Sequence, residues 1–479
     1  MRVRPLGAVA MDVDGTFRAS GGESRIVRSV ATDSRTVEPG SLFVALGGER
    51  QDGHRFVADA ARRGAVGALV RSGAAVADAD PAGLVDVDDP GRALLDLARA
   101  ERSALRAVVV GVTGSTGKTT TKDFIGAVLG RRYRTVASLA SFNNEVGLPL
   151  TLLRADAETD VLVCEMGARG AGHIRALCAV ARPSIGVVTN VGVAHMELFG
   201  SPEVLRAAKA ELPEALPPDG WAVLNADDAV VRAYAGRTRA QTLLFGTSAE
   251  ATVRAEDVSI DRRTGRATFD LVIGSDRSRV LLPVPGEHMV PNALAAAAVG
   301  SILDVGIGET ADALGGAEMS AGRMQVLDGA AGVRIVDDAY NANPTSMGAA
   351  LRAARWMAGD GRCIAVLGAM AELGPIEEDE HLRIGELVAR LGIDELVTVG
   401  PGAELIAVGA GREGVEPDRI HRTSDGDEAV DVVRTLLRPG DVVLVKASRV
   451  ARLERVARRL ADVDDGKTGA TRTAKGIVA

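Results

Sequence analysis

The sequence predicts an α/β protein of three domains: a central parallel sheet built around a P-loop, a smaller α/β module before it, and an alternating strand–helix domain after it. Three observations carry that prediction. A chain of 479 residues exceeds what one hydrophobic core organises. An apolar run, Ala107 to Val110, passes through Gly111-Val-Thr-Gly-Ser-Thr-Gly-Lys-Thr-Thr-Thr121 into Phe124, Ile125, Val128 and Leu129 at helical spacing. Beyond residue 321, strand-like and helix-like patterns alternate.

The Gly-rich segment between a strand and a helix is the phosphate-cradle pattern. Gly114 and Gly117 let backbone N–H groups converge on an anion at a helix N-terminus, with Thr113, Ser115, Thr116 and Thr120 completing the loop. Lys118 adds a mobile positive charge, and the Thr119 hydroxyl can ligate Mg²⁺. The common spacing would place its first Gly at position 112, which is Val112, with Gly111 one residue too early; this points to a shorter P-loop variant.

Composition excludes several classes. With 46% hydrophobic and 25% charged residues, the chain reads as a soluble globular protein. A net charge of −8 and 3% aromatic residues leave little for phosphate-backbone attraction or base stacking, so no nucleic-acid partner is expected. No apolar stretch reaches the length of a membrane span, and Met1-Arg-Val-Arg-Pro5 does not open a secretory signal, so neither membrane insertion nor export is expected. Cys164, Cys178 and Cys363 lack metal-ligand pairing; Cys164 and Cys363 lie in apolar runs and read as buried thiols in a reducing cytoplasm.

The first module is taken as residues 1–104. Asp12-Val-Asp14-Gly15-Thr16 matches the Asp-x-Asp-Gly-Thr nucleophile pattern of haloacid-dehalogenase-like phosphatases, but a loop-like sequel favours an acidic turn between two short strands. Asp33-Ser34-Arg35, Pro39 to Gly47 and Asp52-Gly-His-Arg-Phe56 combine turns, a short buried strand and isolated polar groups suited to a polar ligand such as a nucleotide diphosphate.

In the central segment, 105–320, Asn143 and Asn144 precede an apolar run and either cap a helix or present amides to a substrate. The strand Val161 to Cys164 ends in Glu165, where open α/β sheets bind ligands, making Glu165 a Mg²⁺-ligand candidate. The next strand, Ile185 to Thr189, leads through Asn190 towards His195 at the same rim. Leu205 to Leu212 reads as a helix with Lys209 inward among alanines; a solvated lysine is the default, although a buried neutral amine can add CO₂ and become an anionic metal ligand. Leu224-Asn-Ala-Asp-Asp228 and the strand patterns of 252–283 are not diagnostic, and Asn292 either caps the following alanine-rich helix or meets a base edge.

The third segment, 321–462, shows strands at 333–336, 363–367, 396–399 and 442–445 with three helical stretches between them. The residues from 463 read as a disordered tail. The predicted fold class is therefore a P-loop mononucleotide-binding parallel sheet flanked by a small N-terminal α/β domain and a C-terminal Rossmann-like α/β domain.

The first strand of the third segment ends in Asp337-Asp-Ala-Tyr-Asn-Ala-Asn-Pro344. Together with Thr113-Gly-Ser-Thr-Gly-Lys-Thr119, Glu165-Met-Gly167, Thr189-Asn-Val-Gly-Val-Ala-His195 and Leu367-Gly-Ala-Met-Ala-Glu-Leu-Gly374, it makes nearly the whole chain resemble the Mur ligases of peptidoglycan synthesis. Tyr340-Asn-Ala-Asn-Pro344 favours the dipeptide-adding branch; the Asp-Asn-Pro-Arg motif of the diaminopimelate-adding branch is missing.

The resemblance implies an ATP- and Mg²⁺-dependent amide ligase, acting through an acyl phosphate on UDP-N-acetylmuramoyl-tripeptide and D-alanyl-D-alanine, as a cytoplasmic monomer. It implies an N-terminal UDP-binding module and substrate contacts from Ser34, Arg35, Asn143 and Asn144. Lys118 would hold the ATP phosphates, Thr119 and Glu165 one Mg²⁺, and His195 with a carbamylated Lys209 a second; Asn292, Arg323, Asp338 and Asn341 would contact ATP. Lys446, Ser448 and Arg449 would lie near the dipeptide or phosphate, and linkers near 104 and 321 would act as hinges. Met289, Ala447 and His173 depart from the expected Asn, Gly and acidic residue. Rival readings are another Mur ligase, a folylpolyglutamate synthetase, which lacks the N-terminal nucleotide-sugar module, and a non-catalytic nucleotide switch.

Overall fold

The computed structural model describes residues 1–48, 51–76, 78–192 and 196–461. They group into two compact units, 1–320 with 372–376, and 321–371 with the residues from 377 on. The expected tail lies outside the described residues.

The first unit holds two main sheets. Near the N-terminus, Thr16–Phe17, Leu84–Val87, Gly67–Arg71, Ser41–Val44 and Ser29–Ala31 lie side by side in that order, parallel except for the first. The second sheet runs Asp276–Pro285, Arg266–Ile273, Val253–Ile260, Gln241–Gly246, Trp221–Asn225, Ile185–Val188, Val108–Thr113, Val161–Glu165, Thr135–Ala137. Its strands are parallel from Thr135–Ala137 as far as Val253–Ile260, and the last two are antiparallel. One hydrophobic cluster joins the two regions, from Leu6, Leu42 and Leu97 through Val109 to Leu148, Leu177 and Leu212. Helix Pro90–Ala104 lies within it, and its fully buried Glu101 takes salt bridges from Arg2 and Arg4.

The phosphatase-like motif does not end a strand. Leu6, Val9 and Ala10 are buried at helical spacing, so Leu6–Asp12 forms a helix and Asp12 pairs with Arg4 at 2.5 Å. The expected turn between two strands is thus the exit from a helix into Thr16–Phe17, and the motif is not at the end of a buried strand that phosphoryl chemistry there would need.

The second unit orders its sheet Gln325–Asp328, Arg334–Asp337, Val442–Lys446, Cys363–Gly368, Glu395–Val399, Ile420–Thr423, all parallel after the first pair. Helices Pro344–Ala358, Glu377–Arg390, Glu404–Arg412 and Gly426–Leu436 connect the strands. The sequence predicts four strands and three helical stretches here; the structure adds a fourth helix and two four-residue edge strands, Gln325–Asp328 and Ile420–Thr423, each too short and polar for an apolar-run signal.

Candidate active site

Strand Val108–Thr113 lies between Val161–Glu165 and Ile185–Val188, so the ends of both neighbours flank the Gly-rich loop. The loop opens helix Lys118–Leu129, which buries Phe124, Ile125, Val128 and Leu129. Gly117 has φ +77°, and a Cβ there would lie 2.3 Å from Asn292 Oδ1. Gly114 has φ +149°, with Thr189 Oγ1 1.9 Å from where a Cβ would stand. Neither position admits a side chain, which gives both glycines a steric reason.

Lys118 Nζ donates to the carbonyls of Gly114 at 2.7 Å and Ser115 at 3.3 Å, so the ammonium sits over the loop at the helix N-terminus. Thr113, Thr119 and Thr120 are buried, and Thr113 Oγ1 donates to Met166 O. Thr119 Oγ1 donates to Glu165 Oε2 at 2.9 Å, and Asn143 Nδ2 donates to Glu165 Oε1 at 2.8 Å. Glu165 is 1% exposed, and its N–H donates to Ser138 Oγ. The hydroxyl and carboxylate are hard oxygen donors brought together at the loop's edge, a set that fits Mg²⁺, which takes few protein ligands.

Lys209, on helix Pro202–Ala215, is also 1% exposed. Burial first, and then the charge of Lys118, pushes its pKa well below the ordinary lysine value, against the opposing pull of Glu211 and Glu165. The inward lysine is therefore real, and the solvated default does not hold. His195 lies outside the described residues.

The paired asparagines divide their roles. Asn144 Oδ1 accepts from the N–H groups of Val146 and Gly147, the capping alternative, while Asn143 reaches Glu165. Asn292 does not cap its helix, which follows Met289; its Oδ1 accepts from Thr121 Oγ1 and its Nδ2 donates to His288 O. At the five-stranded sheet, Ser34 is buried, and Arg35, 82% exposed at its side chain, pairs with Asp33 at 2.6 Å. Both belong to the turn Ser34–Thr36, which follows strand Ser29–Ala31 of that sheet.

A separate cluster occupies the second unit. Lys446, 1% exposed, donates to Asp338 Oδ2 at 2.5 Å and to Asn341 O at 3.0 Å, and Asp338 Oδ1 accepts from Met324 N. Ser448 Oγ accepts from Ala371 N and donates to Ala342 O. The guanidinium groups of Arg323 and Arg449 lie 4.2 and 5.1 Å from the Tyr340 ring centroid. Arg323, Asp338, Asn341, Lys446, Ser448 and Arg449 are thus gathered in one place.

Sequence reasoning missed the groups that shape the loop's surroundings. Asn190 bonds residues 115 and 116; Asn225 Nδ2 donates to Thr189 O, and Asp228 accepts from Val191 N. The signal was a run of side-chain amides and carboxylates directly after strands Ile185–Val188 and Trp221–Asn225, neighbours in the sheet.

Three family models match successive segments of the chain. Residues 26–102 match the family model "Mur ligase family, catalytic domain", 112–300 the "Mur ligase middle domain", and 322–449 the "Mur ligase, glutamate ligase domain". The UDP-N-acetylmuramoyl-tripeptide–D-alanyl-D-alanine ligase of Mycobacterium tuberculosis H37Rv is 44% identical over 94% of each chain. The crystal structure of MurF from Acinetobacter baumannii superposes with a TM-score of 0.83 at 29% identity, covering 96% of this chain and 100% of that one. MurF ligase from Thermotoga maritima, solved in complex with ADP, gives 0.77 at 30% identity over 91% and 97%. With three family models spanning most of its length and relatives aligned nearly end to end, the chain belongs to the Mur ligase family.

Proposed function

We propose that the chain joins D-alanyl-D-alanine to UDP-N-acetylmuramoyl-tripeptide with ATP, in the cytoplasm and as a monomer. The observation that carries this reading is the phosphate loop with Thr119 hydrogen-bonded to a buried carboxylate at the adjacent strand end, in a chain aligned over 94% of its length with a ligase of that name. In the overall reaction the tripeptide's terminal carboxylate takes the γ-phosphoryl group and ADP leaves. The neutral amine of the dipeptide then attacks the acyl carbon, a tetrahedral intermediate forms whose nitrogen is positively charged, and phosphate departs as that nitrogen gives up one proton to leave the amide N–H.

The chain's residues bind and orient. Lys118 and the N–H groups at the start of Lys118–Leu129 hold the triphosphate's negative oxygens. Thr119 and Glu165 would hold Mg²⁺, which when bound offsets charge on the phosphoryl oxygens. Asn143 holds the second oxygen of Glu165 and so sets the carboxylate's plane. Lys209, favoured in its neutral form by burial, is the amine able to take up CO₂ and present a carbamate beside Glu165, with His195 as its partner at a second Mg²⁺. Asn292, Arg323, Asp338 and Asn341 are assigned to ATP; Ser34, Arg35 and Asn144 to the UDP-linked substrate; Lys446, Ser448 and Arg449 to the dipeptide or phosphate. An acyl phosphate hydrolyses readily, so domain closure about the linkers near 104 and 321 would exclude water. No helix among the described residues is long and apolar enough to cross a membrane, and the three buried, unpaired thiols suit a reducing compartment.

The test is phosphate release. It should require UDP-N-acetylmuramoyl-tripeptide together with D-alanyl-D-alanine, and single amino acids should not replace the dipeptide. Release indifferent to both acceptors would make the protein a nucleotide switch, and release with a single amino acid would place it in another branch of the family. Sedimentation equilibrium checks the monomer.

A further inference from the structure

We infer that Asn190 is a positioning residue for nucleotide binding: its side-chain amide clamps the phosphate loop in its binding shape from the end of the neighbouring strand. The inference rests on the ligase reading only for what the loop binds. Asn190 O accepts from Ser115 N at 2.9 Å. Asn190 Oδ1 accepts from Thr116 N at 2.9 Å and Thr116 Oγ1 at 3.0 Å, and Nδ2 donates to Thr116 O at 3.2 Å. One side chain thus pairs with both backbone polar groups of Thr116, as an adjoining strand would. Only an amide carries donor and acceptor at that spacing; a carboxylate lacks the donor.

The residues beside Asn190 extend the strap. Thr189 Oγ1 donates to Thr116 O at 2.6 Å, and Ser115 Oγ donates to Gly192 O while accepting from Gly192 N. Asn190 is itself anchored, because Thr189 O accepts from Asn225 Nδ2 at 2.8 Å and Val191 N donates to Asp228 Oδ2 at 2.8 Å. The clamp therefore stands on two strands of the sheet.

The physical need comes from the loop's composition. Gly114 and Gly117 both take positive φ, and a glycine-rich segment has much conformational entropy to lose on ordering. If that ordering accompanied nucleotide binding, it would weaken the affinity; bonds made within the protein meet it beforehand. On the other side the loop region is tied through Thr113 to Met166 O and through Thr119 to Glu165. The segment between those ties, Ser115–Thr116, is the one Asn190 holds.

The experiment compares the full chain with Asn190→Ala and the near-isosteric Asn190→Asp, which keeps the acceptor for Thr116 and loses the donor. Calorimetric titration with ATP is expected to show dissociation constants raised at least about tenfold in both variants, the equivalent of one or two hydrogen bonds. The increase should be larger for Asn190→Asp at low salt, because a carboxylate repels the triphosphate. UDP-N-acetylmuramoyl-tripeptide should bind with unchanged affinity, and amide hydrogen exchange at residues 115–117 should accelerate while the sheet strands stay protected. ATP affinity within twofold of the parent, or an equal loss for both ligands, overturns the assignment. If Asn190→Ala does not fold, Asn190→Asp decides alone by the same criteria. A parent chain that fails to bind ATP would refute the ligase reading rather than the clamp, and unaccelerated exchange at 115–117 in a folded variant would then still overturn the clamp.

Discussion

Replacing Lys209 by Met keeps the length of the aliphatic stem and removes the amine from a site only 1% exposed. Burial, with Lys118 adding repulsion, lowers the folded-state pKa well below the ordinary value near 10.5, whereas the unfolded chain keeps that ordinary value. Between the two, the unfolded state binds one proton that the folded state does not, so the parent's stability rises with pH by about 1.4 kcal/mol per unit. Below the folded-state pKa the whole burial cost is present; above the unfolded pKa it vanishes. Lys209→Met carries none of this dependence. It is therefore expected to be more stable than the parent at neutral pH, and the advantage should shrink as pH approaches 10 at about that slope. The assay is urea unfolding of both proteins across this range in CO₂-depleted buffer, because a carbamate would add its own dependence. The same variant should lose ligase turnover, which added bicarbonate should not restore. A stability difference that is flat from pH 7 to 10 would refute the reasoning, since Lys209 would then titrate alike in both states.

Other outcomes follow from named contacts. Gly117→Ala forces an L side chain into φ +77° and puts its Cβ 2.3 Å from Asn292 Oδ1, so about 1–2 kcal/mol of backbone strain adds to the loss of the Thr121–Asn292 bond; ATP affinity should fall by more than about tenfold in a titration, and a normal affinity would contradict the packing. Glu165→Gln keeps the volume and removes the charge from the proposed Mg²⁺ set; phosphate release should drop on the order of a hundredfold, the worth of a few kcal/mol, with half-activation moved to higher Mg²⁺. Unchanged Mg²⁺ dependence would remove Glu165 from the metal's ligands. Lys446→Met leaves the 8%-exposed Asp338 without its cation and should destabilise the fold by about 3–5 kcal/mol in urea unfolding, with adding Asp338→Asn recovering part. A loss below about 1 kcal/mol would mean that Asp338 finds water instead.

Much of the site was legible because it follows strand ends. An apolar run long enough to be a buried strand announces where its last residue emerges, and Val161–Glu165 placed its carboxylate accordingly. Asn143 and Asn144 could not be separated by the same reasoning. Adjacent residues point in different directions, and only the fold decides that one caps Gly147–Leu152 while the other meets Glu165. Asp12 misled because a short acidic motif has no periodicity of its own; the buried Leu6, Val9 and Ala10 before it set a helix.

The sequence by itself determined the α/β class, the strand–loop–helix of the phosphate cradle and the alternation of the later segment, because these depend on hydrophobic periodicity and on residues within a few positions of one another. Tertiary structure alone decided the strand order that sets Val108–Thr113 between Val161–Glu165 and Ile185–Val188. It decided the bonds from Asn190 to Thr116, 74 positions earlier in the chain, and the enclosure of Lys209. These depend on distant segments meeting, where burial sets the charge of an amine and the direction of an amide, and no local pattern encodes that meeting.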